Sequence, residues 1–159
     1  MDGVMIKKII SGGQTGADRA GLDVALKVGI PHGGWIPKGR KTEDGPLPDT
    51  YQLHEMPTTS YPKRTEQNIL DSDGTLIVSH GKLDGGSALT RKLAKMHNRP
   101  CIHLDMNKLS INDASNAVKA WIEENEIQVL NVAGSRASKD MAIYNVTMKI
   151  LETFLLKDG

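Results

Sequence analysis

Short apolar runs alternate along the chain with longer stretches of helical periodicity. Strands are predicted at 6–10, 75–79, 101–104 and 128–132, with a shorter one around Ile30. Helices are predicted over 16–28, 62–72, 87–97, 110–124 and 138–155. The fourth helix opens on Ser110-x-x-Asp113, a capping pattern, and Ile111, Ala114, Val118, Trp121 and Ile122 follow on one helical face. The last carries Met141, Tyr144, Met148, Leu151 and Leu155 on one stripe, which reads as core. Strand–helix alternation of this kind implies parallel strands joined by crossovers. The expected fold is therefore α/β, a three-layer doubly wound, mainly parallel sheet with helices on both faces, in a single domain over 1–159. Only the stretch 37–62 breaks the pattern. It is rich in Pro, Gly and charge, long for a loop, and Tyr51 to Glu55 offers a short edge strand within it.

In an open parallel sheet, ligands bind outside the carboxyl ends of the strands. Glycine concentrates in the loops that such a sheet brings to that edge: Gly12-Gly13-Gln14-Thr15-Gly16, Gly33-Gly34, Gly81 with Gly85-Gly86-Ser87, and Gly134-Ser135-Arg136. The loop after Leu104 has none. Read from Ser11, the first of these is a Ser-x-Gly-x-x-Gly turn between a strand and a helix, a dinucleotide fingerprint without its first glycine. Such turns let backbone N–H groups approach an anion at a helix N-terminus. Gly12, Gly13, Gly85, Gly86 and Ser87 are candidate donors, with Arg19, Lys38, Arg40 and Arg136 as candidate counter-charges. The competing reading is that strand-to-helix loops are short and use glycine for that reason alone. No Gly-Lys-Ser/Thr follows the first turn, which excludes a P-loop. The acidic residue that a dinucleotide site places about 20 positions on is replaced here by His32-Gly33-Gly34-Trp35, which argues against an NAD site.

Composition narrows the function further. In a chain of 159 residues, 20 basic and 19 acidic side chains leave a formal net charge of +1, which gives no footprint for nucleic acid or an acidic membrane. Aromatic content of 4% offers no base-stacking platform. No apolar stretch reaches membrane-spanning length and no signal-peptide core is present, so a cytoplasmic location is expected. Cys101 is the single cysteine and reads as a reduced core thiol. The five histidines lack metal-ligand spacing, so no metal site is expected. Gly-x-Ser-x-Gly is absent. Glu43 and Asp44 form either an acid/base pair or a solvated turn, the turn being favoured by Asp44-Gly45-Pro46.

The stretch Ser11-Gly12-Gly13-Gln14-Thr15-Gly16-Ala17-Asp18-Arg19-Ala20-Gly21-Leu22-Asp23 resembles the opening of the putative molybdenum carrier family. Gly34-Trp35-Ile36-Pro37-Lys38-Gly39-Arg40, Glu43-Asp44-Gly45, Arg64-Thr65-x-x-Asn68 and Ser72-Asp73-Gly74-Thr75-Leu76-Ile77 extend the likeness across 9–90. That family looks like a branch of the Rossmann-like proteins that include the LOG-type nucleoside-monophosphate phosphoribohydrolases. By this resemblance Gln14, Thr15 and Gly16 join the ligand-binding set. Arg64 stands as the helix arginine, and Asp84-Gly85-Gly86-Ser87-Ala88-Leu89-Thr90 looks like the nucleotide loop. The glutamate expected after that loop is missing, and Arg91 and Lys92 stand there. The resemblance implies a binding protein for a phosphorylated anionic small molecule, the molybdenum cofactor or a nucleotide. The alternative it leaves is a nucleotide-processing hydrolase or transferase. It also implies a homo-oligomer, dimer or tetramer.

Overall fold

The computed structural model describes residues 5–156. In chain order the strands are β1 (Lys8–Ser11), β2 (His32–Gly33), β3 (Trp35–Ile36), β4 (Lys41–Thr42), β5 (Gly45–Pro46), β6 (His54–Glu55), β7 (Gly74–Ser79), β8 (Cys101–Asp105) and β9 (Val129–Gly134). The helices are α1 (Ala17–Val28), α2 (Tyr61–Leu70), α3 (Gly85–Met96), α4 (Ile111–Asn125) and α5 (Ile143–Leu156). The central sheet has the order β2-β1-β9-β7-β8 with every pairing parallel. The last strand is thus inserted between β1 and β7. Every residue of β7 is buried, as a continuous apolar run in a sheet covered on both faces should be.

Alternation along the strands separates the two faces. Ile9, Leu76, Val78, Leu104, Leu130 and Val132 point into the main core, where Val24 and Ala25 of α1, Val118 and Ile122 of α4, and Ile150, Leu151 and Phe154 of α5 meet them. The opposite face carries Thr75, Ile77 and Asn131, and α2 and α3 lie against each other on that side. The three-layer Rossmann-like arrangement expected from the alternation is present. Ser110 caps α4 as its pattern predicts, accepting from Asp113 N at 3.0 Å. Among the described residues no helix is long and apolar enough to cross a membrane.

Several boundaries differ from expectation. The strand expected around Ile30 lies at His32–Gly33, because Gly29 ends α1 in a left-handed conformation and Ile30 N still donates to Ala25 O at 2.9 Å. The last helix begins at Ile143, five residues late. Residues 136–142 form turns held by Lys139 N and Asp140 N on Arg136 O. The buried stripe is consequently Ile143, Thr147, Ile150, Leu151 and Phe154, while Met141 is 90% exposed. Met148 and Leu155 pack at the margin of the core. Cys101 is only half-buried, on edge strand β8, and burial pushes its thiol up to about 11. The long loop contains the antiparallel β4–β5 ladder, and its His54–Glu55 pairs in parallel with Trp35–Ile36, just before the loop and outside the main sheet.

Candidate functional site

A cavity of about 330 Å³ opens at the carboxyl ends of β1 and β9, between α2 and α3. That volume lies at the lower end of the range for small-molecule sites. Its buried end is formed by Gly12 and Gln14 of the β1–α1 turn, Asp18 of α1, Arg64 and Asn68 of α2, and Asn131 of β9. Its mouth is formed by Asp84 to Ser87 at the start of α3, Arg136 and Lys139 after β9, and Tyr61 at the start of α2.

Helix α3 brings an open N-terminus to the cavity mouth. Asp84 occupies its N-cap but makes no side-chain cap hydrogen bond. The first N–H groups of any helix lack intrahelical partners, and here they belong to Gly85, Gly86 and Ser87. A Cβ built on Gly86 would meet nothing within 4 Å, so the backbone there faces free space. Helix α1, whose glycine turn was the more conspicuous in sequence, is plugged. Its Ala17 N donates to Ser135 O at 3.1 Å, and Gln14 N donates to Asp18 Oδ2 at 3.2 Å.

Arg64 crosses the cavity wall at 7% exposure, and its Nη1 donates to Gly12 O. A side chain at Gly12 would collide with that guanidinium, which is why glycine stands there. Burial pushes Arg64 below its ordinary pKa, with Asp18 and Tyr61 opposing. The Tyr61 ring lies among three cations, Lys41 at 4.4 Å, Arg64 at 5.3 Å and Arg136 at 5.7 Å from its centroid. Burial raises the Asp18 carboxyl to about 6, against the pull of Arg64, the Gln14 N–H, Arg19 and Arg136. The Gln14 side chain accepts two backbone N–H bonds through Oε1, from Thr15 and Glu43, yet its buried Nε2 has no partner. An orphan of that kind costs about 1–3 kcal/mol.

Of the residues singled out in sequence, Gly12, Gln14, Arg64, Gly85, Gly86, Ser87, Thr90 and Arg136 line this cavity. Six others lie outside its walls, each spent on holding loops. Gly13 and Gly16 sit at positive φ. Gly13 packs against Ile36, Leu47 and Leu53, and Gly16 abuts Ser135 O. Thr15 Oγ1 donates to Glu43 and accepts from Ala137 N. Arg19 donates to Gly13 O and lies 5.4 Å from the Tyr51 ring centroid. Arg40 grips the carbonyls of Leu47, Pro48 and Tyr51, and exposed Lys38 is tied by its backbone to Thr58 O.

Glu43 and Asp44 also stand apart from the cavity. Asp44 is exposed in the β4–β5 turn, with its N–H on Thr42 Oγ1. Glu43 accepts from Thr15, from Ser138 N at 3.2 Å and from Ser138 Oγ at 2.6 Å, with Arg136 at 3.8 Å. Burial pushes its carboxyl up, but those hydrogen bonds outweigh it and leave the carboxyl below its ordinary value. Such a carboxylate clamps two loops rather than trading protons. His80 pairs with Asp140 at 2.5 Å. Among the described residues no three His, Cys, Asp or Glu side chains gather as a metal site.

Sequence reasoning missed Asp18, Tyr61, Asn131 and Lys139 as cavity residues. Two had a signal: Asn131 interrupts an apolar strand, and Asp18 sits on the buried face of α1. Tyr61 and Lys139 had none, since the cavity collects them from segments far apart in sequence.

A model of the circularly permutated YpsA SLOG family matches residues 9–155. Among solved structures, the chain is similar to one from Syntrophus aciditrophicus SB described as a "Putative molybdenum carrier protein". The two share 59% sequence identity over 97% of this chain and 98% of that one, with a TM-score of 0.96. None of the curated proteins compared with the chain matches it.

Proposed function

The chain belongs to the circularly permutated YpsA SLOG family, and on that premise we propose that its cavity binds a phosphate-bearing anionic small molecule, as a carrier of that molecule would. The observation that carries this reading is the uncapped start of α3, with open space over Gly86 and with Arg136 and Lys139 lining the same cavity, Lys139 lying 3.6 Å from the N-cap Asp84 Oδ1. Helix N-termini favour negative charge, and guanidinium groups grip phosphate oxygens in pairs. The description of the similar solved structure as a molybdenum carrier supports a phosphorylated pterin as cargo, since the molybdenum cofactor carries such a phosphate. Titration calorimetry with inorganic phosphate, a phosphorylated pterin and a nucleoside monophosphate tests it. Binding that weakens as salt rises is expected, because exposed charges are screened over about 10 Å at 0.1 M. No heat with any of the three would overturn the reading.

One observation favours an enzymatic second reading. Asp18 brings a carboxylate into the cavity wall although the loop glutamate is missing. Release of free base from a nucleoside monophosphate, lost in Asp18→Asn, would support hydrolysis over carriage. Turnover on the order of 1 per second would be ordinary for such an enzyme.

A further inference from the structure

The buried end of the cavity holds a hydrogen-bond donor and an acceptor that no contact within the protein uses. Gln14 Oε1 accepts from Thr15 N at 3.1 Å and from Glu43 N at 2.9 Å, so the amide cannot turn over without losing both. Nε2 is therefore the donor end, buried and unpartnered, on a residue 6% exposed that lines the cavity. One helical turn further on, Asp18 Oδ2 accepts from Gln14 N at 3.2 Å. Its Oδ1 makes no hydrogen bond among the described residues. That shared backbone amide holds the donor and the carboxylate as one piece.

We propose that Gln14 and Asp18 read the edge of a 2-amino-4-oxopyrimidine ring, the edge common to guanine and pterins. The ring carbonyl accepts from Gln14 Nε2, while the ring N–H and the exocyclic amine donate to the Asp18 carboxylate. The inference rests on the phosphate reading above and supplies the other end of the same ligand. A carboxylate offers only acceptors and an amide nitrogen only donors. A ligand matching both presents at least one N–H beside a carbonyl, and a second N–H reaches the carboxylate oxygen that Gln14 N shares. An ammonium ligand would satisfy Asp18, leave Gln14 unpaired and bring a second cation beside Arg64. Adenine turns an amine toward the position of the Gln14 donor and offers no carbonyl.

Calorimetry on the whole chain decides it, using guanosine, adenosine and xanthosine monophosphates, 6-hydroxymethylpterin phosphate and inorganic phosphate. The guanine nucleotide or the pterin should bind at least about tenfold tighter than the adenine nucleotide, since a site that hydrogen-bonds its ligand rejects the analogue lacking the group. Whichever of the two binds tighter identifies the source of the edge. In Asp18→Asn the preference should pass from guanosine to xanthosine monophosphate, because the new amide donates to the ring oxygen that replaces the amine. That gain cannot arise from misfolding. Gln14→Glu should remove the preference over adenine, because its carboxylate accepts from the adenine amine and cannot donate to a ring carbonyl. If all three nucleotides and the pterin bind alike, the edge reading is overturned and the phosphate reading stands. If not even inorganic phosphate binds, both fall.

Discussion

Replacing Asp18 by Asn removes one titration from the folded protein while keeping the side chain's size and an oxygen for the Gln14 amide. In the unfolded chain the carboxyl titrates near 3.8. In the folded protein burial raises it to about 6, although Arg64, the Gln14 N–H, Arg19 and Arg136 all pull the other way. The folded state therefore binds more protons than the unfolded chain between those values, and stability falls as pH rises through them. Each pKa unit is worth about 1.36 kcal/mol, so wild type should lose about 3 kcal/mol relative to Asp18→Asn between roughly pH 3.5 and pH 7. Nearly all of the loss should be complete a little above pH 6. Urea denaturation of both proteins without ligand, subtracted at each pH, isolates this contribution. Glu43 is common to both proteins. A difference that is flat, or that grows in favour of wild type as pH rises, would show that the carboxyl is not desolvated and would refute the account of the site.

Gly86→Val should melt at the temperature of wild type and lose phosphate binding, because its side chain enters only the open cavity; unchanged affinity would remove the α3 terminus from the site. Gly13→Val should instead cost about 2–4 kcal/mol on denaturation, since the residue sits at φ 74° with Ile36, Leu47 and Leu53 at 3.1–3.2 Å from any added Cβ. Arg136→Ala should weaken inorganic phosphate roughly tenfold and flatten its salt dependence, which calorimetry at two ionic strengths reads. Glu43→Gln should speed proteolysis within 37–62 and cost about 2 kcal/mol, through hydrogen bonds to a charged group that are weakened when it is neutral; an unchanged cleavage rate would count against the clamp.

What the sequence by itself determined is the part of the molecule set by local chemistry. Apolar runs and helical periodicity specify strands and helices a few residues at a time, so the parallel α/β plan and the Ser110 cap were legible. The Gly85-Gly86-Ser87 turn was a candidate through its backbone chemistry, and Arg64 through the family resemblance alone. Tertiary structure decided which glycine turn leaves its helix N-terminus open. In sequence the β1–α1 turn, with its Ser-x-Gly-x-x-Gly spacing, is the more conspicuous anion candidate and the α3 turn the lesser. Only the insertion of β9 beside β1 brings Ser135 O onto the first and leaves the second open. It also decided the fates of the charges. Arg19, Arg40 and Glu43 are drawn into loop clamps by carbonyls and hydroxyls from distant segments, while Asp18 and Gln14 are carried into the cavity wall. A side chain's charge is written in the sequence, but its desolvation and its partners come from residues tens of positions away, and only the packed chain brings them within reach.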